Sequence, residues 1–329
     1  MVSFEYDRVS RAVTHACRTV SILILAGASL LACGGDRGGT SGQPPAGEAV
    51  SNPIGAAYEA LVAANHEALP QIIAALDESV ARDPNDAASA FYAGVMRLWR
   101  LTRARPDRNR DLAQMALDAR DAVALLETAT ALRPESEHAA AFLGIAQVGI
   151  GAFVGDEVRI EQGRQILDGA VPLNPAYVHG VRALVFGALP RAHPLFQQAI
   201  DGVRRSLEAC GSVGGGEQGL TFAYAAGPLP SAQRVCNDSG IVAHVWEGLF
   251  LTFGDILVKQ GEADKARAAY ENAKASPAYD TWLLREPLEE RIAQAGARAD
   301  LYLDDDATND PLTWMEEDRI CVGCHASAY

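Results

Sequence analysis

One spacing recurs along this chain and narrows its fold more than any other feature: a small residue, a large apolar residue four positions later, a small one three after that, and a proline five further on. Ala122, Leu126, Ala129 and Pro134 fit it, as do Gly163, Leu167, Ala170 and Pro175, and more loosely Ile72, Leu76, Ser79 and Pro84. Positions four and three apart are neighbours on one helical face, so the small residues admit a second helix closely while the large one fills the gap between them. Proline then opens the next helix, because its missing N–H is one that a first turn leaves unused. Ten residues after Pro84 and Pro134 come Gly94 and Gly144, where a helix without a Cβ can pack tightly on its partner. No stretch sustains a two-residue alternation with β-branched residues, so strands are not expected, and the fold class read from the sequence is all-α.

The fullest version of the pattern lies downstream. Phe250-x-x-Phe253-Gly254-x-x-Leu257, followed by Gly261, Ala266, Tyr270, Ala273 and Pro277, resembles the tetratricopeptide repeat (TPR). That resemblance implies antiparallel helix pairs stacked into a right-handed superhelix whose concave face binds a peptide or protein. The chain departs from the family in period: Pro84 to Pro134 spans 50 residues and Pro134 to Pro175 spans 41, against roughly 34. The excess falls within the repeats, in Thr102–Arg110 for one and in the Gly149, Gly151 and Gly155 region for the next. The expected body is therefore a TPR-like helical domain over residues 53–298 with a degenerate concave face.

Residues 194–209 form one more amphipathic helix, with Leu195, Phe196, Ala199, Ile200, Val203 and Leu207 on a stripe. A Gly-rich irregular insertion at 210–240 follows, bracketed by Cys210 and Cys236. In an exported protein two such cysteines are read as a disulfide, worth about 3 to 4 kcal/mol by loop closure; two unpaired thiols are the alternative. An interruption of this kind in a solenoid is a natural place for a binding surface.

Export is indicated at the other end. Residues 1–32 carry Arg8, Arg11 and Arg18 and then an apolar run, Ile22 to Ala32, too short to span a bilayer comfortably, which reads as a secretory signal. Its end, Leu30-Leu31-Ala32-Cys33, resembles the lipobox of bacterial lipoproteins, and that resemblance makes Cys33 the lipidated residue; an ordinary signal with an incidental cysteine is the alternative. In that family Gly34, in place of an aspartate, implies sorting to the outer membrane; of the two faces, the periplasmic one is expected and the cell exterior is the alternative. Residues 33–52 are then a lipidated cysteine and a Gly-, Pro- and Ser-rich tether with a reach of roughly 25 Å.

Beyond Arg298 the composition shifts to an acidic, turn-rich linker containing Asp304, Asp305 and Asp306, and residues 299–329 end with Cys321-Val-Gly-Cys324-His325. This motif resembles the haem attachment site of c-type cytochromes. The resemblance makes Cys321 and Cys324 the thioether attachment points of one covalent haem c and His325 the proximal iron ligand. A disulfide between the two cysteines, or a zinc site formed with Cys210 and Cys236, are the competing readings. Met315 is the one nearby thioether for a distal position, and Trp314 could cover a porphyrin. His66, His138, His179, His193 and His244 lack ligand spacing and read as surface or packed histidines, Met96 and Met115 as core, and the three aspartates as a solvated charge run rather than a calcium site.

The chain carries a net charge of −14, which disfavours an electrostatic grip on nucleic acid. With 49% hydrophobic and 21% charged residues it should bury a real core. It has no phosphate-binding glycine loop, no His-Glu-x-x-His and no Gly-x-Ser-x-Gly, so hydrolase and kinase chemistry is not expected and catalysis, if present, would be haem chemistry of the peroxidase type. Together these features point to a lipid-anchored electron carrier that docks a protein partner, either a redox protein or a second copy of itself. A haem-free scaffold with a C-terminal disulfide is the alternative.

Overall fold

A computed structural model describes residues 50–62, 65–102, 112–209, 246–276, 279–282, 284–304, 306, 309–311 and 313. Among these the secondary structure is entirely helical: eleven α-helices, three short 3-10 turns and no strand. The helices are α1 (Pro53–Val62), α2 (Leu69–Arg82), α3 (Ala87–Thr102), α4 (Leu112–Leu132), α5 (Glu137–Val154), α6 (Glu157–Ala170), α7 (Pro175–Gly187), α8 (Phe196–Ala209), α9 (Trp246–Gln260), α10 (Ala263–Asn272) and α11 (Arg285–Leu303). They fall into two compact units, α1–α6 and α7–α11.

In the first unit α3 packs against α4 and α5 against α6 as two extensive helix pairs, with α2 on α3 and α4 on α5 joining them. The recurring small residues set the closest approaches. A Cβ added to Gly94 would stand 2.8 Å from Leu126 Cγ, and one added to Gly144 would stand 2.5 Å from Leu167 Cγ. Leu126 and Leu167 are wholly buried there, flanked by Ala122 and Ala129 in one case and by Gly163 and Ala170 in the other. A helix face thus loses side-chain volume where its partner supplies a leucine, which is how native packing density is reached without a gap.

The polar periphery of this unit is paired across the same helices. Arg97 Nη2 on α3 donates to both carboxylate oxygens of Asp77 on α2 at 2.7 Å, while its Nη1 donates to the Ala93 carbonyl within its own helix. Arg100 makes a two-nitrogen fork with Asp118 on α4, its Nε donating to Oδ2 at 2.7 Å and its Nη2 to Oδ1, while Gln114 donates to the same carboxylate. Two arginines one turn apart therefore hold the helix on either side of α3, Arg100 in the planar two-nitrogen geometry that guanidinium and carboxylate share.

Helix α5 is the most apolar of the described helices. By length and composition it is apolar enough to cross a membrane, with a mean hydropathy of 1.4, and 67% of it is buried inside the fold. It begins under a Ser136 cap, whose Oγ accepts from the Ala139 N–H, and ends at Gly155 with φ +70, the left-handed conformation that closes helices. Gly149 and Gly151 lie inside it, so the extra length in this part of the chain is added helix. Only Gly155 and Asp156 separate α5 from α6, and Gly151 makes that tight return possible: a Cβ there would lie 2.9 Å from the Ile160 amide nitrogen.

The second unit pairs α7 with α8 and α9 with α10, and α11 packs on both members of the latter pair. In the α9–α10 pair the glycine again faces a large side chain: a Cβ on Gly254 would fall 2.0 Å from the Tyr270 ring. In the α7–α8 pair the exchange is inverted, because Gly202 of α8 meets the backbone of His179 and Ala183 while Ser206 donates to the Ala176 carbonyl at 2.8 Å. On α8 the stripe expected from the sequence is present, with Phe196, Ala199, Val203 and Leu207 buried and Ile200 at its edge.

Candidate functional site

Cys33, Cys210, Cys236, Met315, Cys321, Cys324 and His325 all lie outside the described residues, as does Trp314. What the structure does describe is the part of the second unit from which the C-terminal segment departs, and the polar core that fixes it.

At the centre of that core Asp255 of α9 is almost fully removed from water. Its Oδ1 accepts from the Tyr270 hydroxyl of α10 at 2.6 Å and from Arg291 Nε of α11 at 3.0 Å. One carboxylate therefore joins three helices. Burial, reinforced by the negative charge of Asp255 and the hydrogen bond to it, pushes the Tyr270 phenol well above its ordinary pKa. The hydroxyl stays protonated and acts as a donor, and the guanidinium neutralises the aspartate. The carboxylate is enclosed and its partners are both donors, so the arrangement locks α11 onto the α9–α10 pair.

A second tie runs from α9 to the other pair of the unit. Lys259 Nζ donates to the Gly187 carbonyl at the C-terminal end of α7, at 3.1 Å, and lies 5.4 Å from the centre of the Phe196 ring. A cation there meets both the negative end of a helix dipole and an aromatic face. Near the start of α11, Glu289 accepts from Lys274 Nζ at 2.9 Å and from the Tyr279 hydroxyl at 2.8 Å. The Lys274 hydrogen bond first, and that of Tyr279 second, hold its carboxyl below the usual range; burial and the same contact raise the Tyr279 phenol.

Helix α11 runs to Leu303, and the chain then reverses. Asp304 Oδ1 accepts from the Asp306 N–H at 2.8 Å and its Oδ2 from Asn309 Nδ2 at 2.9 Å, so this aspartate organises a turn. The Tyr302 hydroxyl donates to the Pro311 carbonyl, Arg191 Nη1 donates to the Tyr302 carbonyl at 2.8 Å, and Thr313 is buried. The chain entering the Cys-x-x-Cys-His segment is thus held against the second unit as far as residue 313.

The other residues singled out in the sequence are dispersed. His66 lies against Trp99 with ring centres 4.2 Å apart and planes tilted by 41°, His138 is half-buried beside Glu137, His179 is buried in α7, and His193 Nδ1 accepts from the Leu195 N–H. His244 lies outside the described residues. Met96 is wholly buried and Met115 half-buried. The Asp255–Arg291 pair was not read from the sequence. Its signal was a lone cation, Arg291, in the stripe Leu288, Ala295 and Ala299, and a lone anion inside Phe253-Gly254-Asp255-Ile256-Leu257.

No protein-family model matches the chain, and no curated protein matches it.

Proposed function

We propose that this is an exported, lipid-anchored protein of the outer membrane, facing the periplasm, whose TPR-like helical body docks a protein partner and whose C-terminal segment carries one covalent haem c for electron transfer. The observation that carries this reading is Cys321-Val-Gly-Cys324-His325 in a chain that opens with a lipoprotein-like signal. The donor set fits the group: two thiols three residues apart for the two vinyl positions, and the adjacent imidazole of His325 for the iron. When bound, haem supplies reversible one-electron chemistry. The chain's own contribution, as far as it is described, is to hold the residues leading toward that segment on the second unit, through the contacts of Tyr302 with Pro311 and Arg191 and the burial of Thr313.

The TPR-like reading is supported by the same event in three helix pairs: a glycine of the first helix receives a large side chain of the second, Gly94 with Leu126, Gly144 with Leu167 and Gly254 with Tyr270. The stacking of pairs into a superhelix and the Cys210–Cys236 disulfide belong to this proposal. So does a partner bound on the concave face, a redox protein or a second copy of the chain.

The test is the mass and visible spectrum of the mature protein made in cells competent for cytochrome maturation. The expected result is a gain of one haem and a Soret band that survives acid-acetone extraction, with attachment lost or severely weakened in Cys324→Ala. A colourless protein whose two C-terminal cysteines form a disulfide would replace this reading with that of a haem-free scaffold.

A further inference from the structure

The three most exposed large apolar side chains among the described residues are Val158, Leu112 and Val154, which keep 69%, 65% and 61% of their accessible surface. Chain direction brings all three to one end of the first unit. Gly94 meets Leu126 and Arg100 meets Asp118, so α4 runs antiparallel to α3 and starts where α3 finishes. After the turn at Arg133–Ser136, with Ala139 packed beside Ala129, α5 runs back over about 27 Å of helix toward the level where α4 began. Gly155 and Asp156 then turn the chain into α6. Leu112 opens α4, Val154 closes α5 and Val158 lies in the first turn of α6.

Little polar surface accompanies them. Ala113, Ala116 and Leu117 are exposed on the first two turns of α4, while Gln114 reaches back to Asp118, itself buried against Arg100. Asp156 is spent on the Arg159 N–H that it caps. Two exposed acidic residues stand near: Glu157, between the valines, and Glu67, next to the His66 that lies against Trp99. Single apolar side chains on a surface are ordinary, whereas a set gathered at one end marks a contact with protein or membrane. Helix ends and a two-residue turn offer a blunt tip in place of a groove.

We propose that this tip rests on a phospholipid bilayer, with Leu112, Val154 and Val158 entering the boundary between headgroups and acyl chains. The choice of a bilayer rests on the lipid-anchored reading above: the tether of residues 33–52 leads into α1, which belongs to this unit, and its reach of roughly 25 Å keeps the unit at the membrane surface. Charge agrees. Residues 103–111, between Thr102 and Leu112, lie outside the described residues, but their sequence holds Arg103, Arg105, Arg108 and Arg110 against Asp107 and Asp111. Counting Glu67 and Glu157 as well, the balance at this end is near zero in a chain of net charge −14, so an anionic surface repels it less than the chain as a whole. Lipid phosphate suits guanidinium, and an ethanolamine ammonium suits the Glu157 carboxylate.

The test uses the mature full-length protein attached to vesicles of phosphatidylethanolamine and phosphatidylglycerol whose acyl chains carry bromine as a fluorescence quencher. Attachment is by the protein's own lipid or, where mass spectrometry finds Cys33 unmodified, by an N-terminal histidine tag on a nickel-chelating lipid, so the anchor reading and this one fail separately. Leu112→Trp and Val158→Trp, both at exposed positions, should be quenched at least about twofold more than Glu135→Trp in the turn at the opposite end of the unit. Adding Val154→Asp and Val158→Asp to Leu112→Trp should remove that difference without changing the circular dichroism. Equal quenching at the two ends would overturn the proposal, as would quenching of Leu112→Trp that survives both aspartates. So would an unquenched, blue-shifted emission from Val158→Trp that is lost on diluting the protein in the vesicle, which would assign the tip to a second copy.

Discussion

Arg291 and Asp255 meet inside the second unit with 7% and 1% of their side chains exposed, the guanidinium Nε donating to the carboxylate at 3.0 Å. Thirty-six residues of chain separate them, and each arrives on its own helix. A pair this deeply enclosed contributes little net stability over an apolar equivalent, but removing one member leaves the other charged and without compensation.

Arg291→Met should therefore destabilise the second unit by about 3–5 kcal/mol. Adding Asp255→Asn should recover part of that loss, because the remaining group is neutral and still accepts from Tyr270. Urea unfolding followed by circular dichroism measures both. A single variant within about 0.5 kcal/mol of the parent would show that the pair is not locking α11.

Gly144 and Leu167 provide a steric counterpart. Gly144→Ala places a methyl group 2.5 Å from Leu167 Cγ and should cost about 1–3 kcal/mol by overpacking. Leu167→Ala alone should cost about 2–5 kcal/mol through the cavity it leaves. The double variant should be less damaging than the sum of the two, since each change relieves the other. Additivity in thermal or urea unfolding would mean that the contact does not limit the approach of α5 and α6.

Lys259 holds the end of α7. Lys259→Met keeps most of the aliphatic stem over Phe196 but leaves the Gly187 carbonyl without its donor, and about 1–3 kcal/mol of stability should go with it. Hydrogen exchange should localise the loss to α9 and the last turn of α7.

The half-buried His138 makes stability depend on pH in the first unit. Burial lowers its pKa, an effect only partly offset by the neighbouring Glu137. The folded value lies below the unfolded one of about 6.5, so the unfolded chain takes up the proton first. Stability should be fully present above about pH 6.5 and fall as pH drops toward the folded value, where it levels off. His138→Gln should flatten this part of the profile. An unchanged slope between pH 7 and 5 would remove His138 as its source.

The sequence made legible those parts of the fold that depend on absent side chains. Gly94 and Gly144 could be marked as points of close approach because their only requirement is steric, and the spacing Ala122–Leu126–Ala129 states which face receives them. The role of Gly149 and Gly151 was harder to read: glycines close together suggest an interruption, yet here they continue a helix whose neighbour comes within a Cβ of its backbone. The Asp255–Arg291 pair depends on which helices become neighbours, information that local periodicity does not carry. Of the residues proposed for haem, lipid and disulfide chemistry, none falls within the described residues, so those readings rest on their motifs.

Helix α5 has a consequence for the chain before it folds. Newly made, it is an 18-residue apolar stretch with no neighbours to enclose it, and on the export route proposed above a translocation channel that samples such stretches could release it sideways into lipid. Eight of those residues are alanine or glycine, and Gln147 sits among them, which keeps the segment only weakly lipophilic. Its small residues, chosen for close packing in the finished protein, would thus also let it slip through the pore instead of lodging there.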